Sequence, residues 1–361
     1  MKWNVVLIVA ALIMSAGCDP TGPLPDASPS GEVAYVNLSL DLQSGPPYTR
    51  ALTDVSALGG DGSIKDGVIL EFDPEGLLLE MIHFSGSVPP KIQVRRHQQT
   101  EIYIVANPTV DLSGIASLTD FLSMESDYKA NTLDRMEMTG HLKDTFSSDA
   151  VVNIQMKRML SKIQVDDMTF KSTPGWPYYT GIHFTRAYLE KTPVTCAYDF
   201  SLPGGFIDAY DKRVSIGYTS NYSSSVHQYT QGGTKVWEYE TPWAVYCYPN
   251  ASDNQNERNV LAVSYRLVYL VTGVDGMTGE PVVQPRYEDA CVHLVLPPLL
   301  PNTLYELERL TLNGARYKTV YLSTRSADDE LSECSFRMTD MTSGEYLGSV
   351  QGEVEYEIQD H

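Results

Sequence analysis

The sequence predicts an all-β protein assembled from β-sandwiches, and three observations carry that expectation. Short segments alternate apolar and polar residues with the period of a strand. Clusters of Gly, Asp and Pro punctuate them, and helical periodicity is confined to one stretch. Residues 33–42, Val-Ala-Tyr-Val-Asn-Leu-Ser-Leu-Asp-Leu, alternate most clearly. Ala34, Val36, Leu38, Leu40 and Leu42 share one face, and Tyr35, Asn37, Ser39 and Asp41 the other. Further strands are expected at Gly67–Phe72, Lys91–Val94, Glu101–Ala106, Val151–Met156, Ile163–Val165, Val236–Tyr239, Ala244–Tyr248, Leu261–Val271 and Cys291–Leu296. Gly59-Gly60-Asp61-Gly62, Asp73-Pro74-Glu75-Gly76 and Asp275-Gly276 read as turns. The segment 273–279 reads as a hairpin turn rather than a calcium loop, because it has too few acidic ligands. For the single helix, Asp111-Leu112-Ser113 would cap Gly114–Met124, where Ile115, Leu118, Phe121 and Leu122 fall on one face. Chain length suggests two domains, and the shift at Ser172-Thr173-Pro174-Gly175-Trp176-Pro177 marks the boundary between them.

The N-terminus carries a different signal. Lys2, an apolar run from Val5 to Met14 and the small residues before Cys18 make a secretory leader. Ser15-Ala16-Gly17-Cys18 resembles a bacterial lipobox, which implies acylation of Cys18 as the new N-terminus. The alternative is a plain signal peptide cut near Ala16. Beyond Cys18, Pro20, Pro23, Pro25 and Pro29 among Ser, Thr, Gly and Asp make an extended tether. No later stretch is long or apolar enough to span a bilayer.

A net charge of -20 excludes nucleic acid as a partner, since such a surface repels phosphate. Cys196, Cys247, Cys291 and Cys334 would meet an oxidising compartment, where one or two disulfides or buried thiols are the alternatives. The histidines are scattered, and no HExxH, G-x-S-x-G, P-loop or G-x-G-x-x-G is present. Neither an enzyme nor a metal or cofactor site is therefore expected. Trp176, Tyr178, Tyr179, Trp237, Tyr239, Trp243, Tyr246 and Tyr248 could form a carbohydrate platform. Packing in the core and between domains is the favoured reading.

Three motifs then line up behind the leader. The Tyr35–Leu42 strand precedes Gly45-Pro46-Pro47-Tyr48-Thr49-Arg50-Ala51-Leu52, where a proline-flanked arginine suits an Arg-specific protease. Ile102-Tyr103-Ile104-Val105-Ala106-Asn107-Pro108 ends a strand ahead of the helix. Arg158-Met159-Leu160-Ser161-Lys162-Ile163-Gln164-Val165 leads into another. Together they resemble the fimbrillins, the type V pilins of Bacteroidetes. Asn302–Leu307 and Leu310–Gly314 match the family's late strands only in part, and many shaft subunits end near a tryptophan where this chain ends Glu357-Ile358-Gln359-Asp360-His361.

The resemblance implies two transthyretin-like sandwiches, with the one short helix in the N-terminal domain, in a lipoprotein precursor. It implies cleavage after Arg50, Ala51 as the new N-terminus, and loss of the strand bearing Ala34, Val36, Leu38, Leu40 and Leu42. Another subunit's strand would then fill the groove. The divisions would be 1–17 leader, 18–50 tether and removable strand, 51–172 first sandwich and 173–361 second. Val354, Tyr356 and Ile358 face one way between glutamates, as a donor strand or an ordinary charged edge strand. Implied partners are other fimbrial subunits and the protease, with a host or bacterial ligand in addition, at the outer membrane and cell surface. A tip or accessory adhesin of the same fold, or an uncleaved lipid-anchored glycan-binding protein, are the alternatives.

Overall fold

The computed structural model describes residues 32–42, 63–171, 179–201, 206–207, 216–219, 226–312, 317–324 and 334–352. The first half runs β1 Val33–Asp41, β2 Asp66–Phe72, β3 Leu78–Ser85, β4 Ile92–Arg95 and β5 Gln99–Ala106. It continues with α1 Leu118–Ser123, β6 Glu125–Asp127, β7 Met138–Thr145, β8 Ala150–Gln155 and β9 Lys157–Arg158. One sheet has the order β4-β1-β8 and the other β3-β2-β5-β7-β9. Between them lie Ala34, Val36 and Leu38 of β1, Ile92 and Val94 of β4, and Ile102 and Ile104 of β5. Gly140 on β7 makes room for this packing, because a Cβ there would sit 2.6 Å from Ile154 and Met156.

β2 shows no alternation in its sequence because both of its faces are covered. Ile69 points into the core between the sheets, while Val68, Leu70 and Phe72 point into a second apolar cluster behind them. That cluster is closed by Leu112, Ile115 and Phe121, so the apolar face expected around the helix does pack. The helix itself is shorter than the 114–124 expected, and its cap is Ser117, whose side chain accepts from Asp120 N. Asp111 instead closes a tight turn, accepting from the backbone and hydroxyl of Ser113. The β2–β3 turn takes the next backbone groups, with Leu78 N donating to Ala116 O and Leu118 N to Gly76 O. Helical bonds therefore begin only after Ser117.

The second half contains β10 Ser161–Lys171, β11 Tyr179–Glu190, β12 Thr192–Pro193, β13 Thr195–Ala197, β14 Phe206–Ile207, β15 Ile216–Thr219, β16 Val226–Gln231 and β17 Thr234–Cys247. After them come β18 Val260–Val274, β19 Pro281–Val295, β20 Thr303–Leu312, β21 Tyr317–Tyr321, β22 Ser323–Thr324, β23 Cys334–Asp340 and β24 Tyr346–Gly352. The larger sheet runs β15-β17-β10-β20-β23-β24-β22 with β16 on β17, and it faces a sheet of order β11-β18-β19-β21. Phe170, Trp237, Tyr265, Leu294, Leu307 and Phe336 are among the residues filling the space between them. β10, just before the boundary segment 172–178, pairs with β17 and β20 of this sandwich. The Asp-Gly hairpin is present: Val274 pairs with Pro281, and Asp275 accepts from Met277 N and Thr278 N.

No disulfide forms among the described residues; Cys196, Cys247, Cys291 and Cys334 are thiols. Geometry explains this for Cys247 and Cys334. β10 and β20 separate their strands, a gap of about 14 Å at the usual strand spacing, whereas a bridge needs Cα atoms within about 7 Å. Burial raises all four thiols, that of Cys196 to about 12, so they are protonated and unreactive at neutral pH.

Glu71 is 5% exposed and shares the core-facing side of β2 with Ile69. Burial, reinforced by Glu80 across the β2–β3 pair and opposed by Arg95, pushes its carboxyl up to about 7. A carboxyl raised on folding contributes stability that is full below its unfolded value of 4.5 and is lost as the pH rises through about 7. Glu71→Gln should flatten the stability profile across that window. At pH 8 it should gain up to about 3 kcal/mol over the parent, read by urea unfolding at several pH values.

The two sandwiches meet around a second buried acid, Glu137, which is fully enclosed. From the first sandwich, Thr109 donates its N–H to Oε1 (3.1 Å) and its hydroxyl to Oε2 (3.0 Å), and Ser126 donates its hydroxyl. From the segment after β11, the Tyr198 hydroxyl donates to Oε1 at 2.5 Å. Tyr248, just past β17, shares a hydrogen bond with Ser126 and accepts one from Asn131. Tyr128 donates to Tyr246 O at 2.7 Å across the same joint. Burial still holds the Glu137 carboxyl above its usual range, although these hydrogen bonds pull it down.

Candidate functional site

The candidate site is the groove that β1 occupies. β1 is the middle strand of its sheet, antiparallel to β4 over Val33–Val36 and parallel to β8 over Val36–Asp41. It is a bridging strand, which leaves β4 at the residue where it meets β8. The expected alternation holds: Ala34 and Val36 are fully buried, Leu38 nearly so, and Leu40 and Leu42 pack against the same core. Tyr35, Asn37 and Ser39 face out, with Lys91 Nζ 4.4 Å from the centre of the Tyr35 ring.

Side chains complete what the staggered neighbours leave open. Upstream of Val36, where β8 has not yet begun, Asp149 Oδ1 accepts the Tyr35 N–H at 3.0 Å. At the far end Asp41 O accepts from Met156 N at 3.0 Å. Each branched side chain on the buried face is worth about 1.5–3 kcal/mol in transfer terms. The β1 face thus contributes on the order of 5–10 kcal/mol, similar to the whole stability of a typical domain. An empty groove would also expose two strand edges, so it must be filled.

The other motif residues have structural work. Asn107 is buried and left-handed (φ 54°), with Nδ2 donating to Ser63 O and Met136 O and Oδ1 accepting from Lys65 N. It ties the end of β5 to the entry of β2. Arg158 N donates to Oδ1 of Asn302, also buried and left-handed, which joins the exit of the first sandwich to the start of β20. Trp237, Tyr246 and Tyr248 are buried, so they build core and joint and cannot form a carbohydrate platform. Cys18, Arg50, Ala51, Trp176, Tyr178, Val354, Tyr356 and Ile358 lie outside the described residues. Sequence reasoning missed Glu71, Glu137 and Asp149, since nothing in a chain marks which of its many carboxylates will be enclosed.

No protein-family model matches the sequence, and no curated protein does. Solved structures of similar fold do exist. A candidate cell adhesion protein of Parabacteroides distasonis aligns over 91% of this chain and 98% of its own, with a TM-score of 0.50 at 12% identity. A candidate cell adhesion protein of Bacteroides eggerthii aligns over 90% and 95%, with a TM-score of 0.41 at 16% identity. For a fimbrial assembly protein of P. distasonis the figures are 90%, 99%, 0.40 and 12%. At these identities the likeness is one of fold. The chain has the all-β sandwich architecture expected from its sequence.

Proposed function

We propose that this chain is a structural subunit of a surface fimbria, delivered as a lipoprotein and assembled by strand exchange. In this reading Cys18 anchors the precursor at the outer membrane, and a protease cuts after Arg50. β1 ends upstream of that residue, so the cut severs it from a body beginning at Ala51. The divisions 1–17 and 18–50 follow from the same reading, whereas the boundary expected at 172 moves upstream of β10, because Ser161–Lys171 pairs with β17 and β20 of the second sandwich. The observation that carries it is the position of β1 in mid-sheet, with its apolar face in the core and its chain end on the lipid side of Arg50. A strand from another subunit, such as the segment bearing Val354, Tyr356 and Ile358, would enter the groove left behind. Backbone bonds would set its direction and alternate side chains its register. Because each subunit gives one strand and receives another, the contact does not close and a filament results.

The test is N-terminal sequencing of surface material from cells making the parent or Arg50→Ala. The parent should begin at Ala51 and run as a ladder of covalent-like polymers. The variant should stay as monomeric precursor. A ladder of undiminished intensity from Arg50→Ala would sink the reading.

A further inference from the structure

The β18–β19 hairpin runs past the end of its sandwich. Along β18 burial alternates until Leu267 and then gives way to continuous exposure from Leu270 to Val274. The last residue of β18 paired to β11 is Tyr269, and β21 covers β19 only from Cys291 onward. At the tip the backbone is fixed by its own turn. Asp275 N donates to Glu280 O and Gly279 N to Asp275 O, each at 2.9 Å. The Asp275 carboxylate accepts from Met277 N at 2.7 Å and Thr278 N at 3.1 Å. This turn holds Met277 at the apex, where it is 98% exposed.

The other sulfurs of the described residues are covered. Met136, Met138, Met156, Met159 and Met168 are buried. Met81, Met124 and Met341 are partly buried against the cluster behind β2, and Met338 against the core of the second sandwich. The thiols of Cys196, Cys247, Cys291 and Cys334 are raised by burial, so at neutral pH they lack the thiolate that reacts. A thioether has no proton to lose, and its sulfur is a nucleophile wherever solvent reaches it.

We infer that Met277 is an oxidation site, at which a peroxide converts the thioether to the sulfoxide ahead of every other described sulfur. A sulfur lone pair attacks one peroxide oxygen, forming an S–O bond as the O–O bond breaks. The sulfur gives up two electrons, and the departing oxygen takes up the proton of the transferred one and leaves as water. A neutral oxidant suits the site, because a body of net charge -20 and the ionised Asp275 in the same turn repel anionic ones. Reduction by a dithiol restores the thioether, the oxygen leaving as water and the dithiol becoming a disulfide. The sulfoxide sets a polar group at the end of an arm whose Leu270, Val274 and Val283 are exposed and apolar. A side chain this exposed gives up no packing when it is oxidised. The site uses neither the β1 groove nor Arg50, and it stands or falls apart from the fimbrial reading.

A graded series of hydrogen peroxide on the full chain at neutral pH, read by peptide mass spectrometry, tests it. The Met277 peptide should gain one oxygen about tenfold faster than any other described methionine. In urea the described methionines should all react at similar rates, which places the selectivity in the fold. Met277→Leu should lose the early oxygen and leave the remaining rates unchanged. The melting temperature of the singly oxidised parent should equal that of the untreated protein. A first oxygen on a methionine of either sandwich, equal rates for Met277 and the partly buried Met81 in the folded chain, or a melting temperature that falls as Met277 is oxidised overturns the inference.

Discussion

Val36→Asp is expected to unfold the first sandwich, at a cost of at least about 4 kcal/mol. Val36 is fully buried where β1 passes from β4 to β8, with Ile92 on one side and Ala150 on the other. The substitution loses about 2 kcal/mol of apolar transfer and adds the burden of an unpaired carboxylate, several kcal/mol even after water penetrates. Against a typical domain margin of about 5–15 kcal/mol, that is decisive. Asn37→Asp, one residue along on the exposed face, should shift stability by no more than about 0.5 kcal/mol. Urea unfolding of the two purified variants, followed by circular dichroism, checks the pair. Equal effects would mean that β1 is not a core strand.

Glu137→Leu is expected to cost about 3–5 kcal/mol and to loosen the joint between the sandwiches. The substitution leaves the Thr109 N–H and the Ser126 and Tyr198 hydroxyls enclosed without their acceptor. Because Ser126 also holds Tyr248, which follows β17 of the second sandwich, the loss reaches across the joint, and a single parental transition should broaden or split in two. Glu137→Gln keeps one carbonyl acceptor, and the hydroxyls can rotate to receive its N–H, so its loss should be smaller, about 1–2 kcal/mol. The parent's carboxyl is raised on folding, so its contribution is greatest below the unfolded value and fades as the pH rises through the folded one. The deficit of the glutamine variant should therefore shrink with increasing pH. A deficit that grows would show that the carboxylate, not the acid, is the stabilised form.

β1 was legible in the sequence because one of its faces is covered and the other is wet, which writes the burial pattern directly into residues 33–42. β18 and β19 were legible for another reason, the Asp-Gly turn between two β-branched runs. β3 and β7 were missed. Leu78–Ser85 is an edge strand with apolar residues on both sides, and Met138–Thr145 carries Gly140, Lys143 and Asp144; both are strands because β2 and β5 pair with them. The helix was found by its apolar face but misplaced by its cap, since Asp111 and Ser117 are equally good caps until the β2–β3 turn takes the backbone around residue 116. The groove as a site was half legible. Its occupant could be read from alternation, but its stagger and the Asp149 bond depend on contacts 114 residues apart.

That separation bears on the order in which the chain folds. β1 is synthesised first, yet its parallel partner β8 follows more than a hundred residues later. Long loop closures are slow, so a nucleus is expected from the local β2–β3 and β5–β7 pairings, with β1 docking late. A late-docking strand slows unfolding without speeding folding. β1 would then act as a kinetic seal, closing a sandwich whose nucleus forms without it, and its departure would leave behind a body that still remembers how to fold.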